Sequence, residues 1–159
     1  MFVGRGILKR RTSLRLRYER LMPTRDVFHN QVKRALIKDE WVITHDPLTV
    51  QFGTTDVFID FGAEQLIAAE KVGRTIAVEI KSFLGASVVN DFHLALGQFL
   101  NYRVALEEQD PARMLYLAIP IDAYAPFFLQ PLTQTILQRY GVQVIVYDPE
   151  REEVIQWID

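Results

Sequence analysis

The stretch Thr75-Ile76-Ala77-Val78-Glu79-Ile80-Lys81 decides how this chain is read. Its β-favouring residues predict a strand, and side chains alternate faces along a strand, so Glu79 and Lys81 project from the same side. A carboxylate and an ammonium placed together can hold a divalent cation and steady an attacking water. Metal-assisted phosphodiester hydrolysis requires that arrangement. The same pair also fits a structural ion pair in a solvated groove, which contributes little when exposed.

Working outward, Leu66 to Glu70 and Thr75 to Lys81 flank Lys71-Val72-Gly73-Arg74, a hairpin signal with glycine at the turn. A two-residue turn on Val72-Gly73 pairs Lys71 with Arg74. That register sets Glu64 directly across from Lys81, on the face that carries Glu79. Asp60 has the same parity but lies about 13 Å further along, and a bend near Gly62 would be needed to bring it in. Glu64 is therefore the first candidate for a second carboxylate and Asp60 the reserve. Asp56 is more remote still, and Glu70 beside the turn reads as a solvated charge. Downstream, Val89 to Glu108 predicts an amphipathic helix with Phe92, Leu96, Phe99, Leu100 and Leu106 as its apolar positions. Gln98 and Tyr102 are four residues apart on it and share a face. Beside a metal site they would contact a phosphate or the scissile strand; hydrogen bonding to nearby backbone is the other use for a half-buried Gln or Tyr.

The rest of the chain supplies a scaffold. A helix capped by Thr24 or Asp26 runs to Lys38, with Phe28, Val32 and Leu36 on one face. Trp41 to Thr44 reads as a strand closed by an Asp46-Pro47 turn, and Leu48 to Phe52 and Asp56 to Phe61 as further β runs. Met114 to Ile119 reads as a buried strand. Asp122 to Tyr140 is helical in pattern, interrupted at Pro131 and stopped by Gly141. Val142 to Tyr147 and Val154 to Trp157 close the order. An α/β sandwich around one mixed sheet follows. His29 reads as a partly buried helical residue with some capacity to orient a phosphate or water. His45 belongs to the turn, and His93 to a helix face near the site.

With 159 residues the chain fits one domain, and no apolar run is long enough to cross a membrane. It has no cysteine, so disulfides and thiolate zinc sites are excluded and a cytoplasmic location is expected. Charge is uneven. Before Met22 there are seven basic residues and one acid, whereas from Met22 onward eleven basic residues face nineteen acidic ones, a net of −8. Such a body is a poor generic DNA binder, because phosphate neutralisation supplies most non-specific affinity. Residues 1–24 therefore read as a basic extension ahead of a domain spanning 25–159. That extension either carries nucleic-acid contacts or lies upstream of a second start at Met22.

Several blocks together resemble one family. They are Arg25-Asp26-Val27-Phe28-His29-Asn30, Thr44-His45-Asp46-Pro47-Leu48, Asp60-Phe61-Gly62-Ala63-Glu64, Ala77 to Phe83, Ala95 to Arg103 and Val146-Tyr147-Asp148-Pro149. Helix, hairpin with an upstream acid and E-x-K, then a helix bearing Q-x-x-x-Y, is similar to the PD-(D/E)XK nuclease superfamily. The ordered blocks resemble the XisH family of fdxN-element excision controlling factors. The resemblance implies a restriction-endonuclease-like α/β sandwich around a central mixed sheet. It also implies a role in programmed DNA-element excision, with a site-specific recombinase and a XisI-like companion as partners and DNA as a further ligand. Carried over, Glu64, Glu79, Lys81, Gln98 and Tyr102 form the catalytic set, and Asp60, Glu64 and Glu79 the ligands of Mg2+ or Mn2+. The chain departs from the superfamily in placing Glu64 where Asp is usual. A non-catalytic regulator acting through protein contacts is the competing expectation.

Overall fold

The computed structural model describes residues 26–50 and 66–159. The candidates Asp56, Asp60 and Glu64, the β run from Asp56 to Phe61, Thr24 and the basic extension lie outside the described residues.

In the described residues a single six-stranded sheet carries the strands in sequence order. They are β1 (Val42–Leu48), β2 (Leu66–Lys71), β3 (Arg74–Ile80), β4 (Met114–Pro120), β5 (Gln143–Asp148) and β6 (Glu153–Ile158). β1, β2 and β3 form an antiparallel meander, β3, β4 and β5 run parallel, and β6 returns antiparallel. Parallel neighbours need crossovers. These come from α2 (Val88–Gln109) between β3 and β4 and from α3 (Ile121–Ala123), a π-turn (Tyr124–Phe128) and α4 (Pro131–Arg139) between β4 and β5.

Helices cover both faces of the sheet. Ala77, Leu115, Leu117, Ile119, Val144 and Val146 pack with Phe92, Ala95, Phe99 and Leu106 of α2. On the other face Ile76, Val78, Ile80, Tyr116, Ala118 and Ile145 pack with Val32 and Leu36 of α1 (His29–Lys38). Coverage on both sides explains why β4 is apolar almost without alternation.

The hairpin register is the one expected, with Lys71 opposite Arg74 and Ile67 opposite Val78. Val72 and Gly73 both have positive φ, +43° and +76°, which defines a type I′-like turn matched to strand twist. α2 is capped by Ser87, whose hydroxyl accepts from the Asn90 amide at 3.2 Å. The interruption at Pro131 proves to be a fresh helix start. Ile121–Ala123 (α3) runs into a π-helical turn at Tyr124–Phe128, and Pro131 is the first residue of α4 (Pro131–Arg139), where its missing N–H costs nothing. Gly141, at φ +58°, ends it.

Two local expectations are corrected. Asp46-Pro47 does not close β1; the strand continues through it to Leu48, with a cis peptide there and register shifts between Ile43 and His45 and between His45 and Leu48. The proline is tolerated because β1 is the outermost strand among the described residues, where a donor can be spared. His45 accordingly lies within β1, exposed, with its ring Nδ1 3.1 Å from the Thr44 hydroxyl. Nor is Asp26 the N-cap of α1. That position is Phe28, without a side-chain cap, and Asp26 has a different role described below.

Candidate functional site

Glu79 is the penultimate residue of β3, directly opposite Leu117 in the parallel pairing with β4. Leu117 and Ala77 belong to the core under α2, so alternation turns Glu79 and Lys81 toward the long helix. The side of α2 that meets the sheet carries Gln98 and Tyr102 alongside Phe99 and Ala95. Four of the candidate residues thus face the layer between the sheet and α2. All are buried: Glu79 is 0% exposed, Gln98 6%, and Lys81 and Tyr102 8% each. The solvated-groove reading of Glu79 and Lys81 therefore fails, and Gln98 and Tyr102 are deeper than half-buried. A carboxylate and an ammonium withdrawn from water in one place are tolerated only if each finds compensating charge and hydrogen bonds.

The exit of β3 is fastened at three successive residues. The Lys81 amide donates to the Ala118 carbonyl of β4 at 3.2 Å, extending the parallel ladder. The Ser82 amide donates to the Asp26 carboxylate at 2.9 Å. The other oxygen of Asp26 accepts from the Phe28 amide at 2.8 Å, so one carboxylate ties the start of α1 to the residue after Lys81. Phe83 then takes φ +54°, a left-handed conformation costly for a bulky residue. It is 6% exposed, and its ring meets Phe128 edge to face at 5.0 Å. The backbone carrying Lys81 is consequently set by contacts with β4, α1 and the π-turn.

Asp26 also bears on Tyr147, whose ring packs edge-on against Phe28 at 6.2 Å. The Tyr147 hydroxyl is buried without a hydrogen-bond partner among the described residues. Burial, followed by the nearby Asp26 charge, pushes its pKa up, so it stays protonated.

His29 is more buried than expected, at 2% exposure, and its Nε2 lies 2.7 Å from an Asp46 oxygen. Lys33 donates to the second Asp46 oxygen at 2.8 Å. Burial alone would raise the Asp46 pKa, but the hydrogen bonds and charges of Lys33 and His29 outweigh it and hold the carboxyl below its usual range. A His used in this way braces α1 against β1. His93 is exposed on α2, next to the Phe92 ring.

For a divalent cation the described residues supply a buried hard oxygen ligand, Glu79, with Lys81 on the same face. Among the described residues no three His, Asp or Glu side chains come together as a ligand cluster. The remaining candidate ligands, Asp60 and Glu64, precede β2 and lie outside the described residues.

The sequence gives little notice of the Asp26 to Ser82 bond, which spans 56 positions, or of the Phe83 conformation. Asp26 was visible as a polar residue at a helix start, and its second partner emerges only once β3 is placed beside α1.

The fold and site define a three-layer α/β protein whose mixed sheet presents a buried Glu-x-Lys pair under a long helix. The XisH protein family matches residues 22–155, and the chain belongs to that family. The crystal structure of an XisH family protein from Nostoc punctiforme PCC 73102 matches with a TM-score of 0.77 and 47% sequence identity, covering 84% of this chain and 100% of that one. A fdxN element excision controlling factor protein from Anabaena variabilis matches with a TM-score of 0.77 and 48% identity, covering 84% and 99% respectively. No curated protein matches the chain. Among the described residues no helix is long and apolar enough to cross a membrane.

Proposed function

We propose that this chain is an excision controlling factor for a DNA element, built on a PD-(D/E)XK nuclease-like scaffold that keeps a metal-dependent phosphodiester site. The observation that carries this reading is the burial of Glu79 and Lys81, which strand alternation turns toward α2, together with that of Gln98 and Tyr102 on the side of α2 that meets the sheet. A relative at 48% identity, described as a fdxN element excision controlling factor, supports the biological role.

In this reading Glu79, with Asp60 or Glu64, holds Mg2+ or Mn2+. The cation supplies Lewis acidity and lowers the pKa of a bound water. Lys81 places positive charge where negative charge develops on the phosphoryl oxygens, and its fastened backbone makes that charge preorganised. The Gln98 amide and Tyr102 phenol orient the strand.

A second reading has specific support. Glu79 is 0% exposed and the chain from Met22 onward carries a net charge of −8, a combination that suits protein contact better than duplex binding. Here the site is retained architecture, and the chain acts through a site-specific recombinase and a XisI-like companion.

The experiment is an excision assay on a plasmid bearing the element, with recombinase and companion present and the divalent cation varied. The nuclease reading expects Glu79→Ala and Lys81→Ala to abolish excision while folding is kept. Full excision with both variants, combined with loss of excision when the protein is omitted, would assign the regulatory role instead.

A further inference from the structure

A groove of about 350 Å³ opens at the carboxyl ends of β3, β4 and β5, beside the Lys81 backbone. Its walls are apolar, chiefly Phe28, Phe83, Leu84, Phe127 and Pro149, and Leu84 is 65% exposed. Among the described residues, the polar lining side chains are Ser82 and Asp122, and Asp122 is the charged one. A second carboxylate stands at the rim: Asp91 accepts from the Gly85 amide at 3.0 Å, next to Leu84. Among the described residues the groove is therefore greasy inside, with acidic groups and no lining cation, which selects a ligand that pairs apolar side chains with positive charge.

The described chain begins at this groove. Asp26 is bonded to the Ser82 amide in its wall, and Phe28 lines it. The residues before Asp26 include eight basic ones and one acid, and contain Leu14-Arg15-Leu16-Arg17-Tyr18, with apolar and basic residues alternating. Between Tyr18 and Asp26 lie seven residues. They reach about 25 Å when extended, ample to return a segment into a groove whose wall starts at Phe28. The segment falls outside the family match, which starts at residue 22.

We propose that the groove is a docking site for this chain's own residues Leu14 to Tyr18. Leu14, Leu16 and Tyr18 supply the apolar contact, and Arg15 and Arg17 pair with Asp122 and Asp91. Occupancy places a cationic segment beside the Ser82 and Phe83 wall. The assignment is independent of whether the Glu79 site cuts DNA.

The chain has no cysteine, so introduced pairs report cleanly. In the full chain, Leu16→Cys with Leu84→Cys is compared under mild oxidation with Leu16→Cys and Val72→Cys. Val72 is 97% exposed at the other end of β3. Docking in cis raises the local concentration of the first pair, so its intramolecular disulfide should form at least about ten-fold faster than the control, and more slowly when Asp122→Lys is added. Equal rates for the two pairs, or no effect of Asp122→Lys, overturn the proposal. A disulfide formed only between chains also overturns it and gives the groove to a second copy. As a second measurement, a spin label on Leu16→Cys should broaden the amide signals of Ser82, Leu84 and Asp122 and spare that of Val72. The reverse pattern contradicts docking.

Discussion

Glu79 carries the heaviest energetic burden of any single residue in the site. Taking a carboxylate out of water costs several kcal/mol unless charge and hydrogen bonds replace the lost solvation, and Glu79 is 0% exposed. Glu79→Gln keeps the shape and removes the charge. It should leave the apo protein as stable as the wild type or more so. Mn2+ should raise the wild-type Tm by ligand linkage and leave that of Glu79→Gln unchanged, which differential scanning fluorimetry measures. Asp46 makes a separate prediction from pH. Its folded-state pKa is depressed by Lys33 and His29 against the opposing effect of burial. A depressed carboxylate pKa stabilises the fold above the ordinary value near about 4, and that contribution disappears as pH falls through the folded value. Asp46→Asn should therefore destabilise at neutral pH by about 2 kcal/mol, through the lost acceptor of two donors. The penalty should shrink on acidification below about pH 4, as urea unfolding across pH would show.

Among the elements, the β2–β3 hairpin places the E-x-K strand, and its turn is not optimised for stability. Val72 has φ +43° and is 97% exposed, so a β-branched residue occupies a left-handed position with no packing in return. Val72→Asn suits a type I′ turn and should stabilise by about 0.5–1 kcal/mol, raising Tm by several degrees. Gly141→Ala is the opposite case, because φ +58° after α4 penalises any Cβ, and it should cost about 1 kcal/mol in chemical denaturation. The hairpin register and the Gly141 stop were legible because short-range chemistry fixes both. Asp46-Pro47 misled because Asp-Pro is a turn signal locally, whereas the edge position of β1 lets a proline stay in the strand. The helix face carrying Gln98 and Tyr102 was legible from spacing, but its full burial was not, since burial depends on where α2 meets β3. The Asp26 to Ser82 tie was hidden for the same reason: it joins elements whose adjacency only the sheet order creates.

Across the whole molecule, two apolar layers clamp the sheet, and the end of α1 is stitched to β6 beside the β2–β3 turn, away from the site. Asp39, just after α1, accepts from the indole N–H of Trp41 at 3.3 Å and from that of Trp157 on β6 at 3.1 Å. The two indoles lie 5.4 Å apart. Asp39→Ala orphans both donors, so it should lower global stability by about 2 kcal/mol with tryptophan fluorescence reporting the change. At the opposite end of β3, α1, β4 and the π-turn all fix the backbone around Lys81, so the candidate site sits where three parts of the fold converge. The central claim is that this convergence retains a working phosphodiester site. Its most direct test is cleavage of supercoiled, linear and branched DNA with Mg2+ or Mn2+, comparing wild type, Glu79→Ala and Lys81→Ala with and without the companion protein. The account predicts cation-dependent cleavage by the wild type and its loss in both variants. Folded wild-type protein that cuts no substrate under any of these conditions would contradict it and move the function to partner binding.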